Sequence, residues 1–365
     1  MVVDDPEAAH IANRARTGVM HMTEVQRPRS WQGRIPYRLL SVLVSGALLA
    51  LGVAVVYHRI DWRGVTTVWT NLDVRLVALA AGLYWLQYPL NSFRLHRVIL
   101  WVTERPQEAP PLWFIFRLTC SAGFVAVAAP IGLAGDAAKI AALRAFGNLS
   151  ITDAARCTLF DRVSGVQWLC AIGLATLPLQ AAAGIDLTIA IPQLALFAGL
   201  IAGVGILLVL PRVLILIRSD LVHQIARVFA DYRRMLWPRR SAIQFVIALL
   251  NLVSAWCTLY LLLRAAGLNA NVWLVAGFVP LLQLVNSLPF LYMGWGGREI
   301  AMAATLGAAS GLSINETLAI SIAWGAVLII IGVLNGIALV GDWRMAGRAP
   351  SASASGVDRP KLDRS

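Results

Sequence analysis

Apolar residues in this chain gather in long runs instead of alternating with polar ones; "LLSVLVSGALLALGVAVV" (39–56) is typical. Six stretches, at about 37–57, 75–93, 163–183, 188–211, 241–263 and 317–340, approach or reach the ~20 residues an α-helix needs to cross a hydrocarbon core. Two further apolar regions, 111–147 and 272–310, are interrupted midway by proline and glycine, in "AAPIGLAGD" and "LPFLYMGWGGRE". Proline removes an amide donor and glycine weakens a helix, so each region reads as a pair of short helices. The pattern predicts an all-α polytopic membrane protein.

Composition agrees. The chain is 58% hydrophobic and 14% charged, with a mean hydropathy of +0.70, whereas soluble domains carry about a quarter charged residues. The net charge of +12 does not indicate nucleic acid. Its basic residues fall between and beside the apolar runs, as in loops that stay cytoplasmic and meet anionic lipid. Cys120, Cys157, Cys170 and Cys257 lack metal or redox spacing and read as small core residues. Neither a metal nor a cofactor is expected. Segments 1–36 and 341–365 are polar and read as disordered tails around one membrane domain, 37–340.

Loop charge sets a topology. Region 212–240 holds seven arginines against two aspartates and belongs in the cytoplasm, as do the basic 94–105 loop and both termini. That holds only if 111–147 enters from the cytoplasm and returns, and 272–310 does so from the opposite face. The expected architecture is six full spans plus two opposed re-entrant helical hairpins, in the cell inner (plasma) membrane. A repeat supports it. "LSITDAA" (149–155) aligns with "LSINETL" (312–318) at an offset of 163 residues, and the same offset pairs Asp136 with Glu299. Three crossings between the copies, an odd number, make the repeats inverted, and paired interrupted segments point to a mid-membrane site.

The segments "APIGLAGDAAKIAALRAFGNLSITDAARCTLFDRVSGV" (129–166) and "LPFLYMGWGGREIAMAATLGAASGLSINETLAISI" (288–322) resemble the two signatures of the lysylphosphatidylglycerol synthase transmembrane (flippase-like) family. The shared pattern falls on Pro130, Gly132, Gly135, Asp136, Asp161, Arg162, Pro289, Gly296, Gly297, Arg298 and Glu299. The chain departs from it at Leu133-Ala134, where the family often has a second glycine, and at Trp324, which stands where a second Asp161 would be. The resemblance implies a lipid flippase or a partner of lipid-modifying enzymes, acting on aminoacylated phospholipids, polyprenyl-phosphate sugars or hopanoid-type lipids. The soluble transferase domain of full-length synthases has no counterpart in the short polar tail, so no lysyl-lipid synthesis is expected.

Candidate chemistry centres on charges in apolar surroundings, which are expensive and mark function by default. The candidate substrate-binding set is Arg117, Asp136, Lys139, Asp161, Arg162, Arg298 and Glu299. Pro130, Gly132, Gly135, Pro289, Gly294, Gly296 and Gly297 shape the hairpins. Adjacent residues on a helix do not face each other, so Arg298 and Glu299 are expected to find separate partners. For Glu299 these are Arg117, Lys139 or Arg162; for Arg298, Asp136, Asp161 or a lipid phosphate, which suits its planar fork. Two readings stay open: a cavity between the hairpins that holds an anionic headgroup, or an ion-pair network that only locks them. Ser150/Asp153 and Ser313/Glu316 read as capping boxes. No nucleophile–base set or acidic metal cluster suggests an enzyme, although a glycosyl-type transferase using a lipid-linked donor is the weaker alternative. A further one is an assembly partner of a lipid-biosynthetic enzyme.

Overall fold

The computed structural model describes residues 62–103, 107, 109–129, 133–182, 184, 187–214, 220–288 and 291–346, all within one compact unit, Val44–Ser365. No strand occurs among them. The first half runs α1 Trp62–Thr70, α2 Val74–Trp85, α3 Gln87–Val102, α4 Leu112–Ala128, α5 Ala134–Phe146 and α6 Ile151–Ala182. After α7 Leu187–Leu214 come α8 Asp220–Met235, α9 Pro238–Ala265, α10 Val272–Asn286, α11 Gly297–Met302 and α12 Ile314–Ala346. A π-turn at Ala303–Gly307 carries α11 on to Ser310.

Among the described residues three helices are long and apolar enough to cross a membrane, at Ile151–Ala182, Pro238–Ala265 and Ile314–Ile337, alongside shorter apolar helices. The expected stretch 37–57 lies outside the described residues, as do tail 1–36 and all of tail 341–365 except the end of α12. Where one span was expected at 75–93, the helix breaks at Leu86 into α2 and α3. Pro89 supplies the cause, since it has no N–H to give the carbonyl four residues earlier, on Trp85. Region 212–240, expected as a loop, folds mostly into α8. Leu221, Ile225, Val228, Tyr232 and Met235 recur at helical spacing, and Tyr232 and Met235 are buried against α3 to α6. Arg156 of α6 pairs with Asp231 of α8.

The repeat extends far beyond the aligned seven residues. Helices begin at Ala134 and Ile151 in the first half and at Gly297 and Ile314 in the second, each pair 163 positions apart. The broken helix 74–102 corresponds to 238–265 within one residue at its start. Packing is reciprocal as well: α4 lies along α12, and α10 lies along α6. A two-fold relation between halves produces such an exchange. Both serines cap their helices, the Ser150 and Ser313 hydroxyls accepting from the Asp153 and Glu316 amides at 3.0 and 3.2 Å, and at Ser313 the box is closed by its amide donating to Glu316 at 2.8 Å.

The outer faces are apolar. Val246, Leu249, Leu250 and Val253 on α9, and Ile330, Val333, Leu334 and Ile337 on α12, form exposed stripes at i, i+3, i+4, i+7, which only lipid would cover favourably. Inside, α12 meets α4 through Gly332 and Gly336. A Cβ there would sit 2.3 Å from Val127 and 2.3 Å from Phe124, a close small-residue contact of the kind membrane helices use in place of a hydrophobic drive. Gly332→Ile is therefore expected to lower stability by about 1–3 kcal/mol, read as a lower thermal midpoint in detergent. The same exchange at Gly199, which has nothing within 4 Å, leaves the midpoint unchanged.

Candidate functional site

Five helices of the first half, α2 to α6, converge on a polar cavity. On α2 and α3, Tyr84, Gln87, Tyr88, Asn91 and Arg94 fall on one helical stripe, and all five line it. Asp136 and Lys139 come from the first turns of α5, and Asp161 and Arg162 from α6. Asn286 and Ser287, at the end of α10, close it from the other half. The cavity has two lobes, of about 310 and 300 Å³, sharing these charged residues. Each lobe is the size of a small-molecule site.

The charges form two linked groups. Asp161 accepts from Arg94 Nε at 2.7 Å and lies 3.9 Å from Lys139 Nζ. Gly165, one turn along α6, leaves the room for that guanidinium, since a Cβ there would lie 2.9 Å from Arg94 Nη1. Asp136 pairs with Arg162 Nε at 2.6 Å, while Arg162 Nη1 donates to the Ser287 carbonyl at 3.1 Å. Arg162 thus joins an acid at the start of α5 to a carbonyl at the end of α10, satisfying both helix ends with one cation. Three cations face two carboxylates. Non-helical backbone inside a membrane survives only where protein or a wet cavity serves it, and Ser287, Leu288, Leu291 and Met293, from the broken segment of the second hairpin, all border the cavity.

Arg298 and Glu299 form a separate, closed group. Both are buried. Glu299 turns back over its own helix start and accepts from the Gly296 amide at 2.6 Å, the half of a capping box that a glycine N-cap permits. Arg298 Nε donates to Ser321 Oγ at 3.0 Å, Ser321 donates to Glu299 at 2.8 Å, and Arg298 Nη2 reaches the same carboxylate at 3.2 Å. The guanidinium lies 5.5 Å from the ring of Trp295 and 5.8 Å from that of Trp324, a cation–π enclosure. The expectation of separate partners is thereby corrected: the neighbours pair with each other. Facing rules for adjacent residues apply within a helix, whereas the Glu299 side chain folds back across the first turn, bringing its carboxylate under Arg298.

Asp136, Lys139, Asp161 and Arg162 therefore meet around one cavity, whereas Arg298, Glu299 and Arg117 are absent from its lining. Gly294 and Gly296 take left-handed φ of 77° and 82°, as the turn before α11 requires. At Gly135 a Cβ would meet the Ala122 carbonyl at 2.8 Å, so α4 and α5 can approach only over glycine. Pro130, Gly132 and Pro289 lie outside the described residues. Arg94, which sequence reasoning assigned to a basic loop, belongs to α3. Its signal was the polar stripe Gln87, Asn91, Arg94 on an otherwise apolar segment.

A model of one family, the lysylphosphatidylglycerol synthase TM region, matches residues 38–336. The chain belongs to that family. It is an integral membrane protein of a lipid-related kind, and the two signature segments of the family resemblance supply all the charged groups just described except Arg94. A comparison with curated proteins finds no match.

The buried pair gives a stability test. Arg94→Met leaves Asp161 with Lys139 alone, 3.9 Å away, and is expected to cost about 3 kcal/mol. Adding Asp161→Asn restores part of it, because the uncompensated charge is gone; a double-mutant cycle on thermal midpoints measures both.

Proposed function

We propose that this protein is a non-enzymatic lipid transporter that takes an anionic headgroup into the cavity while the acyl chains stay in the bilayer. The observation that carries the reading is the surplus of cation in an open-mouthed cavity of an apolar helical body: Arg94, Lys139 and Arg162 against Asp136 and Asp161. Lys139, 3.9 Å from its carboxylate, is the least committed of the three and the first to meet a phosphate. Arg162 presents a fork that suits phosphate oxygens. Phosphate-linked lipids, such as anionic phospholipids or polyprenyl-phosphate conjugates, fit this chemistry better than an uncharged hopanoid.

The transport path follows from the hairpins. Helices α4 and α5 have 17 and 13 residues and α10 has 15, so at ~1.5 Å per residue each is shorter than a ~30 Å hydrocarbon core. They enter and return, from opposite faces, among six full spans, with both termini in the cytoplasm. Support comes from the reciprocal packing of α4 on α12 and α10 on α6 and from the basic region 212–240. Opposed hairpins meeting at a charged cavity offer a headgroup access from either side in turn. Their tips already touch, since the Tyr292 hydroxyl donates to the Val127 carbonyl.

Gentle purification followed by mass spectrometry of retained lipids tests this. One anionic lipid is expected to be enriched over bulk membrane lipid in the wild type, and lost in Lys139→Ala and Arg162→Ala variants that still fold. Bulk lipids alone, unchanged by either substitution, would overturn it.

A further inference from the structure

The 163-residue offset assigns each cavity charge a counterpart in the second half. Arg94 corresponds to Cys257, Lys139 to Met302 and Asp161 to Trp324. Charge is replaced by apolar bulk; Met302 and Trp324 are fully buried. One group is kept. Asp136 corresponds to Glu299, and both sit in the first turn of the second helix of a hairpin.

The cation partnering that acid has moved. In the first half position 135 is glycine and position 162 is arginine; in the second, 298 is arginine and 325 is glycine. The two residue types have changed places. Geometry explains why each arrangement excludes the other. Gly135 has no room for a side chain, its Cβ position lying 2.8 Å from the Ala122 carbonyl, so the guanidinium must come from α6. A Cβ on Gly325 would lie 2.7 Å from Arg298 Nη2 and 2.7 Å from the Trp295 ring, so the space beside it already holds a guanidinium and an indole.

We infer that both halves tie hairpin to long helix through one acid–guanidinium pair, directly by Arg162 in the first half and by way of Ser321 in the second, that Arg298 there stands in for the missing counterpart of Arg162, and that this second copy is a permanent tie. The first copy is the one that works. Asp136 and Arg162 face the cavity with side chains 18% and 34% exposed, whereas Glu299 and Arg298 are 4% and 0% exposed. A ligand anion can draw Arg162 from Asp136 and so release α5 from α6. No ligand reaches Arg298. Motion during transport is thus assigned to the first hairpin, with the second as its frame. The ligand's part rests on the headgroup reading above; the displaced cation does not.

A second-site exchange tests it. Arg298→Ala removes the cation and Gly325→Arg alone overfills the space, so each is expected to lower the thermal midpoint in detergent by about 5 °C or more. Together, R298A/G325R rebuilds the arrangement of the first half and is expected to recover most of the wild-type midpoint, while R298A/G325A is not. If Arg298→Ala yields no monodisperse protein, the return of that peak in R298A/G325R is the same measurement. A double variant no better than R298A/G325A would overturn the inference. Retained lipid gives a second readout: R298A/G325R keeps whatever anionic lipid the wild type carries. Loss of that lipid at restored stability would make Arg298 a ligand-holding residue and overturn the permanent tie. Should the wild type carry only bulk lipid, the headgroup reading fails, and the midpoints still decide the exchange.

Discussion

A carboxylate in the first turn of a helix that begins inside a membrane has to be neutralised on the spot. Water is scarce there, and an uncompensated charge costs ~3 kcal/mol or more at the bilayer centre. Both halves of this protein place an acid in the first turn of a short helix within the apolar helical body, at Asp136 and Glu299. Much of the surrounding architecture answers that demand. The long helices α6 and α12 run past these acids and supply Arg162 and Ser321. The glycines at 135, 165 and 325 clear the space through which guanidinium groups or neighbouring helices arrive.

The two halves meet the demand differently, and the difference creates the cavity. Around Glu299 the partners are few and enclosed, with tryptophans over the guanidinium, so the acid is satisfied without leaving a void. Around Asp136 the neighbouring positions carry further charge, Arg94, Lys139 and Asp161, which cannot close-pack as methionine and tryptophan do. Polar groups that do not fill space leave a cavity lined by charge. The two halves share a scaffold and differ at the three positions that bring Arg94, Lys139 and Asp161 into the first and Cys257, Met302 and Trp324 into the second.

Arg162 ties the halves together at that chamber. It holds Asp136 of its own half and the Ser287 carbonyl of the other, so any ligand that engages it acts on both hairpins at once. A headgroup binding here would exchange one set of charge-assisted contacts for another of similar strength.

How far the sequence reached depended on the range of the interactions involved. Long apolar runs fixed helices and membrane residence, because covering a hydrocarbon core is a local requirement on some twenty consecutive residues. Proline and glycine marked both hairpin breaks for an equally local reason, and the serine–acid spacings marked two helix starts. The offset of 163 aligned Asp136 with Glu299 before any fold was in view. Pairing was another matter. Arg94 looked like loop charge until Gln87, Asn91 and Arg94 proved to share a face, and α8 looked like a basic linker until its apolar stripe met α6. The Arg298–Glu299 pair defied its spacing because a side chain folded back over a helix start. Which acid met which cation around the cavity, and whether the meeting place was open or sealed, lay with tertiary packing, since the cavity contacts join residues 22 to 125 positions apart and depend on where helices cross.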